Sequence, residues 1–196
     1  MFPDRGRRME AAKLEVTARL LDQQRRAGGD RFDEVWDGVL HMVPPPSIPH
    51  QDLAYELERV LRSIAARRRL RVVHNAGLRD PGRGWKDYRV PDLSVVRPDQ
   101  LSDQAIEGRA ELVVEILSPR DESREKLAFY ARRGVREVWL IEPGPRQVEA
   151  FTRRIGGFVA VAPVAGVVWS SALELELRVV AGPRLRIADG PRVAEV

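Results

Sequence analysis

Apolar residues recur along this chain with two spacings, and the switches between them divide it into elements. Leu14, Ala18 and Leu21 lie at helical spacing with charged residues between them, and Gly28-Gly29 ends the pattern, which predicts an N-terminal helix within residues 8–27. Residues 32–42 change to strand-like composition around Asp37-Gly38, a dipeptide suited to a tight hairpin between Val35-Trp36 and Val39-Leu40. The proline-rich run over residues 44–49 predicts a stiff loop. Over residues 52–69 the apolar positions Leu53, Leu57, Val60, Leu61 and Ile64 form one stripe, with Glu56, Arg59, Arg62 and Arg67 on the other side, so this stretch predicts an amphipathic helix.

Beyond it, residues 70–76 read as a strand, followed by the turn Asp80-Pro81-Gly82-Arg83-Gly84, which lacks the lysine and hydroxyl ending of a phosphate-binding loop. Two β-branched runs follow, over residues 90–96 and 111–118. Ser118-Pro119 breaks the second, Asp121 or Ser123 is placed to cap a helix reaching Arg133, and Gly134 stops it before a third apolar strand over residues 135–141. Strand, helix, strand in this order predicts that the strands of Glu115 and Trp139 are parallel neighbours. From Val148 onward the chain is β-rich, with strands expected over residues 147–152, 158–164 and 173–177. The expected fold class is α/β: a mixed sheet flanked by helices, with an N-terminal helix and a β-rich C-terminal part.

Each of the two β-branched runs carries an acid. In Val90-Pro91-Asp92-Leu93-Ser94-Val95-Val96 it is Asp92, and in Glu111-Leu112-Val113-Val114-Glu115-Ile116-Leu117-Ser118 it is Glu115. An ionised carboxylate in a covered strand is opposed by about several kcal/mol unless paired or metal-bound. These two acids therefore need a partner, either a cation or arginine and capping contacts. Alternation along the strand puts Glu115 on the face of Val113 and Leu117, with Ile116 turned away.

Composition limits what that partner can be. The chain has no cysteine, so disulfides, thiolate zinc sites and cysteine nucleophiles are excluded, and oxygen and imidazole ligands remain. Such a palette suits Mg²⁺ or Mn²⁺. With 196 residues, 43% hydrophobic and 32% charged, one domain is expected: residues 1–31 an N-terminal helix, 32–180 the core and 181–196 a tail. No apolar run is long enough to cross a bilayer, and the N-terminus lacks the apolar stretch of a secretory signal, so no membrane association and a cytoplasmic location are expected. A net charge of +4 is compatible with a polyanion, and the arginine clusters at 67–71, 132–133 and 153–154 can follow a phosphate backbone or sit solvated at helix ends and turns.

The combination of Pro91-Asp92, Glu115 in Val-Val-Glu-Ile-Leu-Ser-Pro, Lys126, Tyr130, Gly134-Val135 and Glu137-Val138-Trp139-Leu140-Ile141 resembles the Uma-two-like family of proposed restriction endonucleases, a branch of the PD-(D/E)xK nuclease superfamily. Upstream, Glu34, Asp37-Gly38, Pro44-Pro45-Pro46-Ser47 and His50-Gln51 are similar to the same pattern. The resemblance implies a restriction-endonuclease-like core and metal-dependent hydrolysis of nucleic acid, DNA in the first instance, with Asp92 and Glu115 on Mg²⁺ or Mn²⁺. In many members of the superfamily a catalytic lysine stands two residues after the second acid, and here that position is Leu117. The resemblance implies that Lys126, on the following helix, takes this role; read alone, Lys126 is an ordinary i,i+4 partner of Glu122 on an exposed face. Its identity is unusual here, because only three of 33 basic residues are lysine, and an ammonium is not exchangeable with guanidinium beside a metal-bound water.

Glu34 matches a family acid that completes the metal shell or orients water, or it is a solvent-facing strand acid. His50 contacts substrate or acts as a base, or it is a loop histidine capping the helix over residues 52–69. Ser118 and Tyr130 are expected to fix the strand end and helix, and Trp139 to lie in the core. A homodimer would bring two sites to the two strands of a duplex. The alternative function is a catalytically inactive, nuclease-derived module that binds nucleic acid or protein.

Overall fold

A computed structural model describes residues 12–15, 32–119 and 122–196. In chain order these form β1 (Ala12–Glu15), β2 (Glu34–Trp36), β3 (Val39–Met42), α1 (Ile48–Arg67), β4 (Arg71–His74), β5 (Leu78–Asp80), β6 (Gly84–Arg89), β7 (Leu93–Val96), β8 (Ile106–Glu107) and β9 (Leu112–Ile116). Then come α2 (Leu127–Arg132), β10 (Glu137–Ile141), β11 (Val148–Arg154), β12 (Gly157–Ala160), β13 (Val168–Ser170), β14 (Leu175–Val180), β15 (Arg184–Asp189) and β16 (Arg192–Glu195).

The central sheet has the strand order β12-β11-β10-β9-β7-β4. Strands β9 and β10 are parallel, with Leu140 opposite Glu115, as the strand-helix-strand order predicts. All their residues are buried, which explains the continuous apolar runs in their sequence. Leu112, Val114 and Ile116 on one face join Trp139, the α1 stripe and β13–β15 in a single cluster. On the opposite face Val113, Val138 and Leu140 pack with Phe129 and Tyr130 of α2. The period-2 pattern thus delivers Glu115 to the α2 face, beside Val113.

A second sheet, β1-β3-β2-β6-β5-β8, brings Glu34 to the site. Its β2–β3 hairpin turns at Asp37 (φ +50) and Gly38 (φ +92), the paired positive angles that the Asp-Gly dipeptide provides. A third sheet, β13-β14-β15-β16, includes residues 184–195, so the stretch expected as a tail is two paired strands.

Several boundaries differ from expectation. Residues 12–15 of the expected N-terminal helix are a strand paired with β3, and the rest of that stretch lies outside the described residues. Helix α1 starts at Ile48, inside the proline-rich run, because Ser47 caps it through its Oγ and Pro49 occupies the first turn, where a missing N–H is harmless. Helix α2 is shorter than predicted, because residues 123–126 form turns before it starts at Leu127. It ends as predicted: the N–H groups of Gly134 (φ +75) and Val135 donate to Ala131 O and Tyr130 O, the two bonds of a glycine-terminated helix end.

Candidate functional site

Glu115 is 2% exposed and lies on the α2 face of the central sheet. Tyr130 donates its hydroxyl to Glu115 Oε1 at 2.5 Å, and Lys126 Nζ stands 3.2 Å from the same oxygen. Lys126 and Tyr130 are four residues apart, one helical turn, and so reach the same carboxylate from one side. The lysine also lies 2.9 Å from Glu34 Oε1. Its ammonium is therefore held between two acids from different sheets. Glu34, 1% exposed, is fixed by two further donors, Trp36 Nε1 at 2.7 Å and the Val90 N–H at 2.8 Å.

Asp92 sits immediately before β7, and its Oδ2 accepts the N–H of Ile116 at 2.7 Å, which ties it to the residue after Glu115. His50 Nε2 lies 3.2 Å from the same oxygen. His50 is buried in the first turn of α1, not in a loop, and its Nδ1 is buried without a hydrogen-bond partner. The helix cap at this position is Ser47, so the expectation of a capping histidine is corrected.

Electrostatics couple these groups. Burial is the main cause that pushes the Glu115 carboxyl up to about 8; Lys126 opposes the shift, and the negative charges of Asp92 and Glu34 add to it. Burial works against the charge of Lys126, yet Glu115 and Glu34 hold it above its ordinary value, so it stays an ammonium. The Tyr130 hydroxyl is raised by burial and by Glu115, and remains a donor. The pKa of His50 is raised: burial lowers it, but its hydrogen bond to Asp92 and the Asp92 charge outweigh that effect.

The fold thus brings Glu34, His50, Asp92, Glu115 and Lys126 into one cluster. The pairing of Lys126 with Glu122 is not made: Glu122 Oε2 instead meets His41 Nδ1 at 2.8 Å, and His41 stacks on Trp36. Glu34 is buried and multiply bonded, which corrects its reading as a solvent-facing acid. Tyr130 as a direct partner of Glu115 is a finer role than the sequence suggested; its i,i+4 spacing from Lys126 was the available signal. Arg89 gave no signal. Its guanidinium is buried between the Trp36 and Phe129 rings and bonds to Val35 O and Asp87, bracing β6 behind Glu34. Glu137, also fully buried in an apolar strand, is satisfied by Trp139 Nε1, the N–H groups of Ser171 and Ala172 and the Ser171 hydroxyl, so its role is structural.

Among the described residues no group of three or more histidines, aspartates and glutamates is arranged to hold a metal ion. Carboxylate oxygen is the donor that a hard cation takes, one or two carboxylates being enough for an ion that keeps several waters, and the cluster offers Glu34, Asp92 and Glu115.

A family model described as Uma2, "Putative restriction endonuclease", matches residues 19–182. The chain belongs to this family. No curated protein matches it. Among solved structures it is similar to one titled "Crystal structure of a putative nuclease belonging to DUF820" from Anabaena variabilis ATCC 29413, with a TM-score of 0.58 and 18% identity over 72% of this chain and 83% of that one. That likeness concerns the fold.

Proposed function

We propose that this protein is a metal-dependent endonuclease that hydrolyses DNA phosphodiester bonds. The observation that carries the reading is the buried Glu115, whose carboxyl is raised to about 8 and shares its surroundings with Lys126, Glu34 and Asp92. A strongly perturbed acid beside a specific cation is typical of catalytic sites, and the family assignment indicates nuclease chemistry.

Asp92 and Glu115 are the residues that would hold Mg²⁺ or Mn²⁺. When bound, the ion supplies positive charge at the phosphoryl oxygens and a more acidic water. Asp92 is oriented from two directions, by the Ile116 N–H and by His50. Lys126 carries the charge that would stabilise the developing negative charge at phosphorus. Glu34 keeps that ammonium anchored when Glu115 turns toward a cation, since the 2.9 Å contact to Glu34 is independent of Glu115. Tyr130 holds Glu115 by its hydroxyl.

The test is nicking of supercoiled plasmid DNA with and without Mg²⁺, using the parent and Asp92→Asn. The expected result is metal-dependent nicking by the parent only. If the parent binds the plasmid without cutting it under any divalent cation, the protein is a nuclease-derived binding module instead.

A further inference from the structure

The sequence contains two arginine pairs far apart, Arg132-Arg133 and Arg153-Arg154, and the fold brings one member of the first and both of the second to a single groove. This groove, about 710 Å³, runs between α2 and the β11–β12 hairpin. Its lining contains Arg132, Arg153 and Arg154 and no acid. In a chain with 33 basic and 29 acidic residues, three cations without an acid between them is a local excess. Several other clustered arginines are paired with acids: Arg67 and Arg68 meet Asp189, Arg133 meets Asp80, and Arg124 meets Glu149. Among the described residues no carboxylate forms an ion pair with Arg132 or Arg154. Arg153 donates through Nε to Ala131 O at 3.2 Å, which fixes the hairpin against the helix and leaves the rest of its guanidinium available.

The apolar part of the groove is Leu127, Ala128 and Ala131 of α2 with Phe151, Ile155 and Phe158 of the hairpin. Ile155 is fully exposed at the hairpin apex, beside Gly156 whose φ of +91° turns the chain. Position adds a second argument. From Lys126, at the start of α2, to Arg132 is six residues, or about 9 Å of helix rise. The groove is lined from Leu127, the residue after Lys126, to Arg132, so it begins beside the lysine of the site.

We propose that the groove between α2 and the β11–β12 hairpin holds the phosphate backbone of duplex DNA beside the cluster of Glu115 and Lys126. This rests on the endonuclease reading above. Arg132 and Arg154 neutralise phosphates, and Arg153 fixes the hairpin against α2. Contacts of this kind position the duplex and do not read its sequence.

The experiment compares Arg132→Gln/Arg154→Gln with the charge-matched Arg71→Gln/Arg186→Gln, whose arginines are exposed on β4 and β15. Binding of a fluorescent duplex of about two dozen base pairs is measured in EDTA over a range of NaCl concentrations. Each variant is also assayed for metal-dependent hydrolysis of bis(p-nitrophenyl) phosphate, which is too small to need the groove. The groove variant should bind about tenfold or more weakly, with the salt slope reduced by about 1.8, since each lost phosphate contact removes about 0.9. The charge-matched variant should bind nearly as the parent does, and all three should hydrolyse the small diester equally. Equal weakening in both variants, or none in the groove variant, overturns the proposal. So does an acidic peptide or duplex RNA displacing the DNA at equal concentration of charge. A parent that hydrolyses the small diester but binds no duplex refutes the groove alone; a parent that does neither refutes the endonuclease reading.

Discussion

Replacing Glu115 with glutamine should make the metal-free protein more stable at pH 8, although it removes the central acid of the site. The amide keeps an oxygen for the Tyr130 hydroxyl, which donates to Glu115 at 2.5 Å, and removes a charge from a position 2% exposed. The sign follows from proton counting. The Glu115 pKa is about 8 in the fold against an ordinary 4.5, so between these values the folded state holds one more proton than the unfolded state, and stability falls as pH rises. At about 1.4 kcal/mol per pH unit, the interval from pH 5 to pH 8 amounts to about 4 kcal/mol. Because the glutamine also weakens the 3.2 Å contact with Lys126, an advantage of about 2 to 4 kcal/mol at pH 8 and near zero at pH 5 is expected. Urea denaturation in EDTA at both pH values measures it. If Glu115→Gln is instead less stable than the parent at pH 8, Glu115 is a structural ion-pair partner, and its burial is not a strain retained for function.

Lys126→Arg keeps the charge but not the compact ammonium that fits between Glu34 and Glu115; nicking should fall by about 10² to 10³, the effect of losing one well-placed electrostatic donor, while Lys86→Arg, exposed on β6, should retain activity. Asp189→Asn should lower stability by about 1 to 2 kcal/mol in chemical denaturation at pH 7, because hydrogen bonds from Arg68 and Arg67 hold the Asp189 carboxyl down to about 2 and tie β15 to the end of α1. Partial exposure of both arginines keeps that figure below the full linkage value. This contribution is present above about pH 4 and disappears as pH falls toward 2, so the difference between the two proteins should vanish there.

The elements with strong periodicity were legible in the sequence. Strands β9 and β10, α1 and the Asp37-Gly38 hairpin follow directly from apolar runs, a 3.6-residue stripe and a turn dipeptide. The start of α1 was obscured because Pro49 reads as a helix breaker in the interior but is compatible with a first turn capped by Ser47. The two C-terminal strands were missed because Arg184, Arg186, Arg192 and Glu195 dilute their pattern, and their order comes from pairing with β14. At the site, Asp92 and Glu115 announce themselves as charges inside apolar runs. Glu137 sends the same signal and proves structural, and only the four donors around it distinguish it from Glu115. Arg89 reads as one arginine among many, since its burial depends on Trp36 and Phe129 from other elements.

Under the proposed function, Asp92 and Glu115 together hold the divalent ion on which hydrolysis depends. The most direct test is a calorimetric Mn²⁺ titration of the parent, Asp92→Asn and Glu115→Gln at pH 8, with each variant first confirmed folded by circular dichroism. One site per chain in the parent, lost or weakened at least tenfold in both variants, is the predicted result. Binding of equal affinity and stoichiometry in all three proteins would contradict it.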